Sequence, residues 1–432
     1  MRSSAASGNT KNRPHISDAG QRFGSTKPPA AARGALSVAV LSALLLIAAR
    51  PALAQASETV LHNFDGKDGS GPNSRLTSDG AGDFYGTTPG GGSAGDGNVY
   101  EVSPNGSGGW NEAPIFTFGP EPAGGYTPDL SPVIFDHSGN LFGTAYGGGA
   151  NFYGVVFELS PSGSNETVLY NFCPEGNPCN VTGAYPIGGL VVDSKGNFYG
   201  TTSAGGANGI GTVFELSPSG GTWTEQVIYS IGKGDKAADG LVMDAAGNIF
   251  GSTNSTVFEL SPNGNGWDAN LIHNFKGSPK DGVEGEFCTL VLDQAGNIYG
   301  TTASGGKDNA GTVYKLSPVV SGKKKGTYTE KVLYSFKTNG KDGVGPSAGV
   351  VFDAGGNIYG TTVGGGKYNA GTVYELALTG TGKYKENILW SFNNTDGNEP
   401  ESSLILDGSG NLYGTTYKGG ANGVGTVFEV TP

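Results

Sequence analysis

The chain has 432 residues, 78 of them Gly, and sets 26 basic side chains against 38 acidic ones for a net charge of −12. Gly at that level without a G-X-Y period excludes collagen, while 20 Phe and 19 Tyr supply more core material than a disordered chain carries. The acidic balance argues against a nucleic-acid partner, because an acidic surface repels phosphate backbones.

Residues 1–34 hold six basic residues (Arg2, Lys11, Arg13, Arg22, Lys27, Arg33) against one acid, Asp18. An apolar run of 15 residues follows from Ala35 to Ala49, and then Ala52-Leu53-Ala54. That order is a secretory signal with a long basic region, and the run is shorter than the roughly 20 residues that span a bilayer. Residues 1–54 are therefore predicted to be a signal peptide and residues 55–432 a secreted chain, extracellular or periplasmic, without a transmembrane segment. Cleavage after Ala54 removes seven basic residues and one acid and leaves a net charge of −18.

The first predicted element beyond the leader is a strand, Glu58 to Phe64. After it the tetrad Tyr-Gly-Thr-Thr, or a near variant, recurs with its Gly at 86, 143, 200, 251, 300, 360 and 414. The third copy displays the unit. Gly189-Leu190-Val191-Val192 leads through a turn into Phe198-Tyr199-Gly200-Thr201-Thr202, then a Gly-rich loop and Thr212-Val213-Phe214-Glu215-Leu216. Glu225-Gln226-Val227-Ile228-Tyr229 closes it. Each segment is short, β-branched or aromatic, and bounded by turn residues, so each repeat reads as four antiparallel strands, A to D. Seven such repeats predict an all-β, seven-bladed β-propeller. A strand D precedes the first strand A, and the last segment, Gly425 to Pro432, is a strand C with no D after it. Strand 58–64 is thus expected to pair with 425–430 and close the ring of one domain, 55–432, predicted to be a monomer.

The pattern Asp-x-x-Gly-Asn-hydrophobic-Tyr-Gly-Thr-Thr, with Gly-Gly loops, Gly-Thr-Val-Phe-Glu-Leu-Ser-Pro and Val-Leu-Tyr-Ser-Phe, resembles the GloVer tandem repeat of secreted bacterial choice-of-anchor proteins. The resemblance covers residues 58–432 and recurs seven times. It implies export and a propeller-like body, and it implies no activity. Because the chain ends inside a strand, free secretion is expected over anchoring.

Cys173 and Cys179 flank a Pro- and Gly-containing loop and are expected to form a disulfide in an oxidising compartment, while Cys288 reads as a buried free thiol. The Asp-x-x-Gly-Asn segments read as A–B turns clamped by the Asp carboxylate. Strand C carries Glu101, Glu158, Glu215, Glu259, Glu375 and Glu429, with Lys315 in the fifth repeat. One carboxylate per blade makes a wide ring and not a catalytic pair, so these are expected to bond Thr hydroxyls or the next blade. His62 and His273 stand where other repeats place Tyr170, Tyr229, Tyr334 and Trp390, and His137 lies in a turn. No catalytic residue, metal site or cofactor is assembled from these types.

In a propeller meander the D–A and B–C loops share one face, where binding residues are usually carried. Asp68, Asp281, Asp342 and Asp396 in D–A loops, with Tyr146, Tyr153, Tyr368 and Tyr417 in B–C loops, offer hydroxyl acceptors and stacking surfaces for a glycan. The competing reading makes the Asp-Gly pairs turns and the Tyr rings loop covers. The fourth repeat lacks the Gly-rich B–C loop and should leave a low rim. The sequence thus reads as a non-catalytic binding or interaction module for carbohydrate or an extracellular protein. The alternative is a polysaccharide lyase or glycosidase using carboxylates at the channel mouth.

Overall fold

Seven four-stranded antiparallel sheets make up the computed structural model, which describes residues 56–432 apart from 120–123, 162, 164, 175–178, 237–239, 265, 284–288, 324–325 and 381. The expected signal peptide and Cys288 lie outside the described residues. The sheets are the blades of a β-propeller. Blade 3 is continuous, with strand A Gly183–Val192, B Phe198–Gly205, C Thr212–Ser219 and D Thr222–Ser230. Blades 1, 2, 4, 5 and 6 occupy 77–117, 134–171, 241–274, 291–335 and 351–391. Blade 7 takes its strands A to C from Ile405–Leu406, Leu412–Thr416 and Thr426–Thr431, and its strand D from Ser57–Asn63. That pairing runs from Ser57 opposite Thr431 to Asn63 opposite Thr426, with a bulge at Leu61.

Each member of the Tyr-Gly-Thr-Thr tetrad has a separate structural duty. The Tyr hydroxyl donates to the turn Asp and to the strand C Glu: Tyr199 reaches Asp193 at 3.2 Å and Glu215 at 3.3 Å, and Tyr413 reaches Asp407 and Glu429 at 3.3 and 3.2 Å. Where the tetrad begins with Tyr, as at Glu215, Glu375 and Glu429, the strand C carboxylate accepts from that Tyr hydroxyl of its own blade, whereas Glu158 and Glu259 face Phe142 and Phe250. The expected bonds were to Thr hydroxyls or the next blade. In blade 5, Lys315 instead lies 5.1 Å over the Tyr299 ring. The Gly faces the strand C aromatic, and a Cβ at Gly143 would sit 2.7 Å from the Phe157 ring. The first Thr bonds a carbonyl leading into the next blade's strand A, Thr87 to that of Ser131 and Thr301 to that of Ala348, whereas Thr201 bonds the Ile187 carbonyl of its own blade. The second pairs with a strand C Thr, as Thr202 does with Thr212 at 2.8 Å.

The core lies between the blades. Strand D of each blade ends in an apolar residue that packs on the next blade's strand C aromatic: Phe118 on Phe157, Phe172 on Phe214, Phe275 on Tyr314, Phe336 on Tyr374 and Phe392 on Phe428. Phe64, from the N-terminal strand, packs on Tyr100 of blade 1 at 5.0 Å in the same way. These rings are almost entirely buried, and at about 25 cal/mol per Å² such burial holds neighbouring blades together. The A–B turns carry the expected clamp. In blade 4, Asp244 accepts from the amides of Ala246 and Asn248 and from the Asn248 side chain.

Candidate functional site

Within a blade the D–A and B–C loops meet: Gly125–Tyr126 pairs with Gly147–Gly148, Gly282–Val283 with Ser304–Gly305, and Gly343–Val344 with Gly364–Gly365. These loops therefore share one face, at the end where each strand A enters the channel. The channel is a cavity of about 410 Å³ lined by residues from all seven blades. Its wall is apolar or small, and it holds two charged residues, Arg75 of blade 1 and Glu401 of blade 7. Asn73 ties the rim together, donating to Asp129 at 2.7 Å and accepting from the Leu130 amide.

Five blades enter strand A through a residue followed by Pro: Gly71, Thr127, Tyr185, Gly345 and Glu399. The amide of each donates to a carbonyl in the preceding blade's B–C loop, those of Val424, Asp96, Tyr153, Ala310 and Ala370. All five are left-handed, with φ between 55° and 69°. Gly adopts that conformation freely, whereas a residue with a side chain pays roughly 1–3 kcal/mol for it. Blades 1 and 6 use Gly. Blades 2, 3 and 7 hold Thr127, Tyr185 and Glu399 under strain at the channel mouth, where Gly would serve the fold better.

The side chains around these positions form a mixed aromatic and acidic rim. Tyr185 stacks on Tyr146 with ring centres 5.0 Å apart, and Tyr153 meets Tyr185 edge-on at 5.5 Å. Two predicted rings are thereby joined to one the sequence reading missed. Across the rim Tyr417 donates its amide to the Glu399 carbonyl, and Lys418 pairs with Glu399 at 2.9 Å. Burial first, then the Glu399 charge, pushes the Glu401 carboxyl up to about 7. Tyr368 stands apart, half exposed, in a cleft of about 580 Å³ that Asp342 also lines.

The four predicted Asp residues turn inward and clasp adjacent blades. Asp281, Asp342 and Asp396 are at most 8% exposed. Asp342 accepts from the Tyr334 hydroxyl at 2.8 Å, and Asp396 from the Trp390 indole at 3.3 Å. At the blade 7–1 and 4–5 junctions His takes the aromatic's place, with His62 2.9 Å from Asp68 and His273 3.3 Å from Asp281. A strand D Glu of the following blade completes each clasp: Glu112, Glu330, Glu386 or Glu58. These glutamates escaped the sequence reading, which weighed only those of strand C. Burial, reinforced by the neighbouring Asp, pushes Glu58, Glu112 and Glu386 up to about 8. His62–Asp68–Glu112 and His273–Asp281–Glu330 each bring donor atoms within 4.8 Å of one another, the spread of a cation site. The same places are filled by hydrogen-bonded Tyr334 and Trp390 elsewhere, so the clasp itself needs no ion.

Cys173 and Cys179 form the expected disulfide, with Cα atoms 4.8 Å apart. Among the described residues no helix is long and apolar enough to cross a membrane.

The Gloeobacter/Verrucomicrobia repeat matches residues 50–256 and again 252–432. No curated protein matches the sequence. Virginiamycin B lyase from Staphylococcus aureus is a structural relative at 12% identity and TM-score 0.53, covering 87% of this chain and 99% of its own. The extracellular domain of a hybrid two component system from B. thetaiotaomicron aligns at 11% identity and TM-score 0.55, over 88% of this chain and 42% of that one. At such identities the likeness concerns the fold alone.

Proposed function

The chain belongs to the Gloeobacter/Verrucomicrobia repeat family, and we propose that it is a secreted, non-catalytic binding module that takes a glycan at the channel mouth. The observation carrying this reading is the strained trio Thr127, Tyr185 and Glu399, set where two sister blades use Gly. Strain of this kind persists where the side chain has a use. The Tyr146–Tyr185 stack offers a sugar-sized apolar face, and Glu399 and Lys418 across the rim offer partners for hydroxyl groups. The Cys173–Cys179 disulfide supports an oxidising compartment.

A glycan array run beside a reducing-sugar release assay tests the reading. Binding without product, lost in Tyr185→Gly while the melting temperature holds, is the expected result. Product release would overturn it in favour of a second reading, an extracellular lyase or glycosidase. The observation favouring that reading is Glu401, whose carboxyl at about 7 can hold a proton at neutral pH. Under it, Glu401→Gln would abolish turnover.

A further inference from the structure

The position eleven residues before the tetrad Gly carries Arg75, Pro132, Gly189, Gly240, Thr289, Gly349 and Ser403 in blades 1 to 7. All seven line the same channel cavity. Six blades therefore keep this level small or uncharged, and the seventh sends a guanidinium into the space they leave. Among the described residues no carboxylate pairs with Arg75. The charges acting on Glu401, the other ionisable group of the lining, are those of Glu399, Lys418 and Asp129. Arg75 meets channel water yet is surrounded by protein, which disfavours its charge. An accessible guanidinium in a channel otherwise lined mainly by small and apolar groups is open to an anion entering from solvent.

We propose that Arg75 is the anion-binding residue of the channel and receives the carboxylate of an acidic saccharide. The inference rests on the glycan reading of the mouth and specifies its chemistry. A guanidinium offers two parallel N–H donors to a carboxylate, a geometry that a hydroxyl cannot match. The small residues facing it leave room for the acidic group, and the Tyr146–Tyr185 stack on the loops of the same face would engage another part of the chain.

Isothermal titration of the mature propeller with an oligogalacturonide, with its neutral carboxyl-reduced counterpart and with free galacturonate tests this. The variants are Arg75→Ser, which installs the residue blade 7 carries at this level, Arg75→Lys, and Tyr185→Gly. Melting curves monitor folding. The acidic oligosaccharide should bind at least about tenfold more tightly than the neutral one, the scale of one charge-assisted hydrogen bond. Arg75→Ser should erase that preference, Arg75→Lys should restore part of it, and added salt should weaken it. Free galacturonate should bind weakly through Arg75 alone and be indifferent to Tyr185→Gly. Equal affinity for acidic and neutral chains, with both lost in Tyr185→Gly, would overturn the Arg75 assignment and leave the mouth reading intact. Binding of neither chain would overturn both.

Discussion

The walls between blades and the mouth of the channel are made from the same seven repeats, and they treat repetition in opposite ways. In the walls the blades answer one another with a shared grammar: a Phe, or Ile231 in blade 3, onto the next strand C aromatic, Thr onto a carbonyl beside strand A, and at four junctions Asp beside a buried Glu. At the mouth the blades disagree. Blades 1 and 6 enter the channel through Gly, blades 2, 3 and 7 through Thr127, Tyr185 and Glu399, and blade 1 alone sends in Arg75. Agreement marks what the fold requires of every copy. Disagreement at a strained position marks what the fold would rather do without.

The largest effect should come from breaking the wall where it depends on the chain's first strand. Removing residues 56–64 takes away strand D of blade 7 and the Phe64–Tyr100 contact, and should abolish a cooperative melting transition in circular dichroism. Gly143→Ala comes next. Its Cβ would lie 2.7 Å from the Phe157 ring, so denaturant titration should record a loss of about 1–3 kcal/mol. Gly408→Ala, which meets no heavy atom within 4 Å, should stay within about 0.5 kcal/mol.

A pH series probes the wall more gently. The carboxyls of Glu58 and Glu386 are raised from 4.5 to about 8 and that of Glu225 to about 7, burial being the first cause in each. Between pH 4.5 and 8 the folded chain therefore holds protons that the unfolded chain has lost. These groups contribute stability that is fully present below 4.5 and is lost as pH rises through 7 to 8. The turn aspartates work the other way. Partial burial opposes the ionisation of Asp293 and Asp353, but their N–H donors outweigh it and hold both below 3.8, so their contribution is lost on strong acidification. Melting temperature at fixed ionic strength should peak on the acid side of neutrality, and Glu386→Gln should flatten its alkaline limb. The mouth should register in binding and hardly in stability: Tyr185→Gly should leave unfolding within about 1 kcal/mol of the parent while ligand capture disappears.

The sequence made the walls legible and the mouth only partly so. The tetrad, the turn Asp and the strand D aromatics repeat, and repetition exposes their roles even before their partners are known. The strand D Glu residues repeat as well, but each sits in an alternation whose other members face water, so its burial against the preceding blade's loop cannot be read locally. Asp68, Asp281, Asp342 and Asp396 looked free because Asp-Gly marks a turn; which way the carboxylate points depends on a strand D side chain from the blade before. Arg75 was hidden for another reason. Blade 1 lacks the Leu-Val-Val signature, its short strand A being Thr77–Ser78, so Asn73-Ser74-Arg75 reads as loop until the tetrad Gly supplies the register.

The partnership of Ser57 with Thr431 has a temporal consequence. Because a ribosome delivers the amino end first, the opening strand must wait, its edge unsatisfied, until the last strand of blade 7 has been made. Sequence separation that wide slows the final docking step and lengthens exposure of a bare sheet border. A helper that shields residues 57–63 during biogenesis would therefore raise the yield of native protein more than one acting on any internal blade.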